Sequence, residues 1–243
     1  MGREKDEEEA LWGVVDCVHL KKGREDVWTW KHDPGGKYSV RTAYEFLSPE
    51  EHLLDTQYCR LIWCKLVPLK VSFFGWRLLL DWLPTKWNLQ KRGATLQQEG
   101  FFCGLCHEGM EEVDYLFCTC REAWLVWVKV LNWWGIEIVM LNTVRGVVDF
   151  FLFDLGRIIG KELGACVFLV VAWYLWYWRN ACVFKNYGSL QECLLDKVQM
   201  KSFFWIKNKV DGCAFSLYEW QMNPIECALA IKRHKRLLKS FQK

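Results

Sequence analysis

Leu163-Gly-Ala-Cys-Val-Phe-Leu-Val-Val-Ala-Trp-Tyr-Leu-Trp-Tyr-Trp178 runs sixteen residues without a charge. It either crosses a membrane or forms the buried centre of a globular helical protein. A span needs about 20 apolar residues, and this run is closed short of that by Lys161 and Glu162 on one side and Arg179 on the other. Apolar on every side, it reads as a helix buried in a globular core, with membrane association the disfavoured alternative.

Outward from this run the pattern stays helical. Trp124, Trp127, Val128, Leu131 and Trp134 mark an amphipathic helix before it, and Leu194, Val198 and Phe204 fall in broadly helical phase within Leu190 to Trp205 after it. Trp63 to Leu83 is apolar at helical spacing until Pro84 breaks it. A short helix from Thr85 to Arg92 comes next, with Gly93 placed to cap it. Nearer the start, Trp28-Thr-Trp30 and Lys37-Tyr-Ser-Val40 flank the turn residues Asp33-Pro-Gly-Gly36, which predicts a β-hairpin. Ser39 can cap a helix whose face carries Val40, Ala43, Tyr44 and Leu47. The polar stretch Ser48-Pro-Glu-Glu51 separates that helix from the apolar run beginning at Trp63. No internal repeat or low-complexity tract is visible.

With 52% hydrophobic and 25% charged residues among 243, the chain can bury a real core and is not a disordered tail. Its 16 tryptophans point to helix-packed aromatic layers in which buried indole N–H groups need partners. The net charge of +3 is too small to mark a nucleic-acid binder from the whole-chain balance. Residues 1–24 form a ragged acidic lead-in, whereas 232–243 carries Lys232, Arg233, Lys235, Arg236, Lys239 and Lys243 with no acid, a basic tail that reads first as a solvated terminus. The first ten residues are charged rather than apolar, so no secretory signal is expected there and the chain is placed in a reducing intracellular compartment, nucleus and cytoplasm not being distinguishable. Its 12 cysteines are then thiols or metal ligands, and only those between Cys103 and Cys120 are close enough to suggest a site.

One ordered set of positions carries a resemblance. Trp28-Thr-Trp30, Gly36-Lys-Tyr-Ser-Val-Arg-Thr-Ala-Tyr44, Trp63, Val67-Pro-Leu-Lys-Val-Ser-Phe-Phe-Gly-Trp-Arg-Leu-Leu79, Leu83-Pro-Thr-Lys86, Leu89, Arg92-Gly93, Cys103-Gly-Leu-Cys106, Leu116-Phe117 and Cys120 resemble the reverse-transcriptase zinc-binding domain of plant non-LTR (LINE-type) retrotransposons. Trp173, Trp176, Arg179-Asn180 and Phe184 resemble the tryptophan-rich helix that comes after it in such polyproteins. The resemblance implies a segment lying after the polymerase that helps hold RNA template or target DNA, and it divides the chain into residues 25–134, the zinc-binding-like domain, and 135–231, the helical Trp-rich region. It does not imply polymerase activity. The paired aspartates that hold two metal ions are missing, since the sequence contains no Asp-Asp dipeptide, and no acidic constellation suggests a nuclease. The fold class expected is therefore mainly α, with a small N-terminal β-hairpin, a helical zinc-knuckle-like module and a Trp-rich helical C-terminal region.

Zinc takes four nitrogen or sulfur ligands in a tetrahedron, and Cys103 and Cys106 offer two thiolates from one knuckle. The family pattern completes the set with a histidine and a cysteine downstream of it. Cys120 matches the cysteine, but the histidine position holds Tyr115. Cys118 can compensate, giving Cys103, Cys106, Cys118 and Cys120 as the zinc ligands, whereas His107 would need a tighter backbone to reach. The alternative is a decayed site held by hydrophobic packing.

Lys70 and Arg77, seven apart on one helix face, with Lys86 and Arg92 close behind, offer phosphates a basic patch for weak, non-specific RNA or DNA binding, or else are simply solvated. The tryptophans read as core rather than as stacking platforms, and Arg179-Asn180 as a capping and packing feature. The acids Asp81, Asp114, Asp149 and Asp154 read as isolated surface groups. The chain is read as a non-catalytic zinc-binding, nucleic-acid-binding accessory module without a small-molecule substrate. The alternative is a degenerate structural remnant of a retrotransposon polyprotein that binds neither metal nor nucleic acid.

Overall fold

Asp33 organises the first described turn, because its carboxylate accepts hydrogen bonds from the N–H groups of Gly35 (3.0 Å) and Lys37 (3.2 Å). The computed structural model describes residues 12, 23, 27–47, 58–59, 62–94, 98–137, 141–185, 194–210 and 213–241. The chain divides into two units, Met1–Leu53 and Leu54–Lys243. Most of the acidic lead-in, the Ser48–Glu51 stretch, residues 190–193 and the side chains of the basic tail beyond His234 lie outside the described residues.

Within the first unit the expected β-hairpin does not form, and no strand occurs among the described residues. The Trp30 N–H donates to the Gly36 carbonyl at 2.8 Å, but the Gly36 N–H bonds to Asp33 inside the turn, so the return bond of a ladder is missing. Val27 and Trp28 are exposed, and a two-stranded ribbon with no buried face is marginal. Helix α1 spans Val40–Leu47. Ser39 caps it as expected, its hydroxyl accepting from the Thr42 N–H at 3.1 Å while the Thr42 hydroxyl accepts from the Ser39 N–H at 3.3 Å. Of the predicted face, Ala43 is buried and Val40, Tyr44 and Leu47 are exposed.

The second unit is helical. Helix α2, Leu69–Leu79, is shorter than the apolar run from Trp63 suggests, since Pro68 holds the preceding backbone extended and Asp81 turns out at φ 54° beyond the helix end. Helix α3, Lys86–Lys91, starts where the Thr85 hydroxyl accepts from the Asn88 N–H at 3.2 Å and ends before Gly93 at φ 83°, both as expected. A 3-10 turn, Gln98–Phe101, leads into the cysteine-rich segment, and a π-helical turn, Tyr115–Thr119, leads out of it into α4, Arg121–Trp133. Helices α5, Val144–Asp149, and α6, Leu155–Ile159, form one run with a π-helical turn between them, closed by Gly160 at φ 103°. The remaining helices are α7, Lys161–Lys185, α8, Leu194–Lys207, α9, Leu217–Met222, and α10, Pro224–Phe241.

Helix α7 carries the long apolar run, and every residue from Leu163 to Ala172 is buried. It is long and apolar enough by length and composition to cross a membrane. In this fold α2, the α5–α6 run and α8 cover it instead. Two glycines let backbones approach. A Cβ on Gly75 of α2 would stand 2.3 Å from Leu169 Cδ2, and one on Gly164 would stand 2.0 Å from the Phe151 carbonyl oxygen. Trp127 and Trp134 are core, with Trp127 stacked on Phe168 at 6.1 Å between ring centroids. Two buried indoles find partners, Trp127 Nε1 donating to the Phe117 carbonyl at 2.7 Å and Trp220 Nε1 to the Ser202 hydroxyl at 3.0 Å, whereas Trp134 Nε1 is buried without one among the described residues. Trp124, expected on the buried face, is 41% exposed, because that face runs through Ala123, Val126, Trp127, Val130 and Leu131.

Glu111 ties three pieces of this unit together without exposing any of its side chain. Arg179 of α7 grips it, with Nε 3.1 Å from both carboxylate oxygens and Nη2 on Oε1. The same carboxylate accepts from the Lys86 N–H at the start of α3 (3.0 Å) and from the Gly104 N–H of the knuckle (2.8 Å). Removing one partner of a buried pair leaves the other charge uncompensated, at about 3–5 kcal/mol. Glu111→Gln is therefore expected to lower unfolding free energy in urea by roughly that amount. Pairing it with Arg179→Met should recover much of the loss; equal stability of Glu111→Gln and the parent would show the pair to be dispensable.

Candidate metal centre

The knuckle is shaped by its own backbone. The Cys103 N–H donates to the Gly109 carbonyl (2.7 Å) and the His107 N–H to the Cys103 carbonyl (3.0 Å), with His107 at φ 60° to turn the chain back. The Leu105 N–H points at Cys103 Sγ from 3.4 Å. Cys120 arrives from the other side as the residue before α4, where the Ala123 and Glu122 N–H groups reach its sulfur. The Sγ atoms of Cys103, Cys106 and Cys120 all lie within 4.8 Å of one another. Cys103 and Cys120 are buried.

This donor set fits zinc in kind and spacing. A Zn–S bond of about 2.3 Å in a tetrahedron implies sulfur atoms about 3.8 Å apart, and Cys103 Sγ lies 3.7 Å from Cys120 Sγ. The two thiols are electrostatically unequal. The hydrogen bond from Cys103 and the helix-start N–H groups pull the Cys120 pKa down, against burial. Donating that bond, together with burial, pushes the Cys103 thiol well above its ordinary value. Tyr115, at the position of the expected histidine, closes the group: its hydroxyl is 3.3 Å from Cys106 Sγ. Its ring lies so close to Gly109 that a Cβ there would meet Cζ at 2.2 Å. Burial, then the contact with Cys106, raises the tyrosine pKa.

Cys118, the fourth expected ligand, is not brought into this group. It is buried, and desolvation followed by the Asp114 charge raises its thiol pKa. It sits in the π-helical turn with Leu116 and Phe117, also buried. Residues two apart on a helical turn point to nearly opposite sides, so Cys118 and Cys120 cannot both face the knuckle from one regular turn. His107 is exposed and outside the group.

The four expected phosphate-binding residues part company. Lys70 and Arg77 line one groove between α2 and α7. Arg77 and Arg92 meet at the Trp82 carbonyl, to which each donates at 3.1 Å. Lys86 instead spends its ammonium on the Phe102 carbonyl at 2.7 Å, a structural use. Arg179-Asn180 is a packing feature, as expected, but its partner Glu111 was not signalled by spacing. The acids are each engaged separately: Asp81 with Asn88 and Lys91, Asp114 with the Val144 N–H, Asp149 with the Tyr58 hydroxyl, Asp154 with Arg157.

Comparison with known proteins covers the same stretch. The chain is similar to an Arabidopsis thaliana protein provisionally named a ribonuclease H protein, with 26% identity over 180 residues. That match covers 70% of this chain and 27% of the relative, so the chain spans about a quarter of its length. No solved structure matches. Residues 38–127, from the foot of α1 through the cysteine knuckle into α4, match the family described as zinc-binding in reverse transcriptase.

Proposed function

We propose that this chain is a non-catalytic zinc-binding module that holds RNA or DNA weakly and without sequence preference. The observation that carries the zinc reading is the convergence of three thiols within 4.8 Å of one another, one pair of them at tetrahedral spacing, inside the segment that matches a zinc-binding family. Cys103, Cys106 and Cys120 would hold the metal. When bound, zinc supplies a structural cross-link between the knuckle and the start of α4. The nucleic-acid reading rests on Lys70, Arg77 and Arg92, which have no carboxylate within ion-pair distance among the described residues. The non-catalytic reading is supported by the acids, each tied to its own partner rather than gathered around a shared ion.

A second reading is favoured by one observation. The Cys103–Cys120 and Cys106–Tyr115 contacts give all three sulfurs partners within the protein, so the knuckle closes without a fourth nitrogen or sulfur ligand. On this reading the chain is a degenerate remnant held by packing.

Native mass spectrometry of protein refolded with zinc under reducing conditions decides between them. About one zinc per chain, lost on Cys103→Ser with Cys106→Ser, is expected; metal-free protein with an intact fold establishes the remnant.

Binding to RNA or DNA is expected to be micromolar or weaker at physiological salt and to fall steeply with added salt. Each phosphate contact contributes about 0.7 to the logarithmic salt slope on single strands. Replacing Lys70, Arg77 and Arg92 together should therefore flatten it by about 2. An unchanged slope moves the footprint elsewhere, most directly to the helix end beginning at Lys232.

With primed RNA template, nucleotides and magnesium or manganese, no incorporation above background is expected. Activity abolished by changing Asp149 or Asp154 would overturn the non-catalytic assignment.

A further inference from the structure

Where α2 crosses α7 the surface opens into a groove of about 310 Å³ that the metal centre does not use. That volume sits at the lower end of small-ligand sites and suits a single ring system. Its floor is aromatic. Phe74 meets Trp173 edge-on at 5.3 Å, and Trp176 lies parallel to Phe117 at 6.4 Å. Its rim carries two aromatic side chains left half in solvent, Phe73 at 49% and Tyr177 at 52% exposure. Lys70 and Arg77 complete the lining, Lys70 Nζ standing 5.7 Å from the Trp173 ring centre. Asn180 stands at the same groove, and its side-chain oxygen already accepts from Arg179 Nη1 at 2.9 Å, which leaves its amide N–H groups as the donors offered to a ligand.

We infer that this groove receives an unpaired base of a single-stranded nucleic acid, stacked against Tyr177 and Phe73, with the neighbouring phosphates on Lys70 and Arg77. The inference deepens the nucleic-acid reading above and rests on it. Two cations without an acid in the lining select an anionic ligand. Exposed rings on the same rim select a flat one, because every base has a face to stack whatever its sequence. An acidic peptide satisfies the first requirement but gives no use to the rings. Bases within a duplex are stacked and paired and must be extruded before they can enter, so a single strand enters at lower cost.

The test is fluorescence anisotropy of the full-length chain at low salt, with labelled oligouridylate, oligothymidylate and a duplex of equal length as probes. Either single strand is expected to bind more tightly than the duplex. Tyr177→Ala with Phe73→Ala should weaken single-strand binding roughly tenfold or more, leave the salt slope unchanged because no charge is removed, and leave duplex binding near the parent value. Tyr177→Phe should restore affinity, and thermal melting of each variant checks that the fold is kept. Single-strand affinity unmoved by the aromatic substitutions, while Lys70→Gln with Arg77→Gln still weakens it, overturns the stacked base and leaves the nucleic-acid reading standing. Equal displacement of the probe by polyglutamate overturns the groove in favour of an acidic partner. A parent chain that binds none of the three probes defeats the underlying reading itself.

Discussion

A carboxylate with none of its surface exposed must be neutralised where it stands, and Glu111 is in that position. Its two oxygens receive the Arg179 guanidinium from α7, the Lys86 N–H from the start of α3 and the Gly104 N–H from the knuckle. Each of the last two segments is short or irregular by itself. Helix α3 has six residues, and the knuckle is a loop. Neither buries enough apolar area to fix its own orientation, so a charged, hydrogen-bonded anchor to a long helix fixes it for them. Gly104 must be glycine for the same reason, since a Cβ there would press on Val183 at 2.6 Å and on Glu111 Oε2 at 3.1 Å.

Because that anchor lies outside the sulfur cluster, the knuckle has two independent supports. One is the Glu111–Arg179 pair, the other whatever joins Cys103, Cys106 and Cys120. A histidine in place of Tyr115 would add a nitrogen ligand; the tyrosine adds a hydroxyl on Cys106 and a ring packed on Gly109. The tyrosine at this position therefore contributes packing and a sulfur contact. The inequality of the Cys103 and Cys120 thiols comes first from the hydrogen bond between them, which Cys103 donates and Cys120 accepts, since two backbone N–H groups reach each sulfur.

The parts of this architecture that sequence pattern made legible are those governed by local rules. The buried character of Leu163–Ala172 could be read from its flanking charges, the caps at Ser39 and Gly93 from their residue types, and the Cys103–Cys106 pair from its spacing. What failed depended on longer-range conditions. The hairpin around Asp33 has the right turn residues, but nothing in its local sequence reports that Val27 and Trp28 are exposed. Cys118 looked interchangeable with a missing ligand because spacing along a chain does not say which way a helical turn faces. Trp124 was mistaken for core by a phase shift of one position on α4, where Ala123 takes the buried place. Glu111 gave no signal, since a single acid in a loop resembles any solvated acid until its partner 68 residues away is seen to meet it.

Arg179 has a further consequence through its neighbour. The guanidinium is held by Glu111 on one side, and its Nη1 donates to Asn180 Oδ1 on the other. It also stands 5.0 Å over the ring of Trp176, part of the groove floor between α2 and α7. The same arginine thus sets the position of the knuckle and the orientation of two groove residues. A change that loosens Glu111 releases Arg179 from one contact while its contacts with Asn180 and Trp176 remain, so the groove side chains lose their reference point without losing their packing. The cysteine knuckle and the tryptophan-rich helix are in this way joined through one buried ion pair. The helix that carries Trp173, Trp176 and Asn180 is also the one to which the knuckle is anchored.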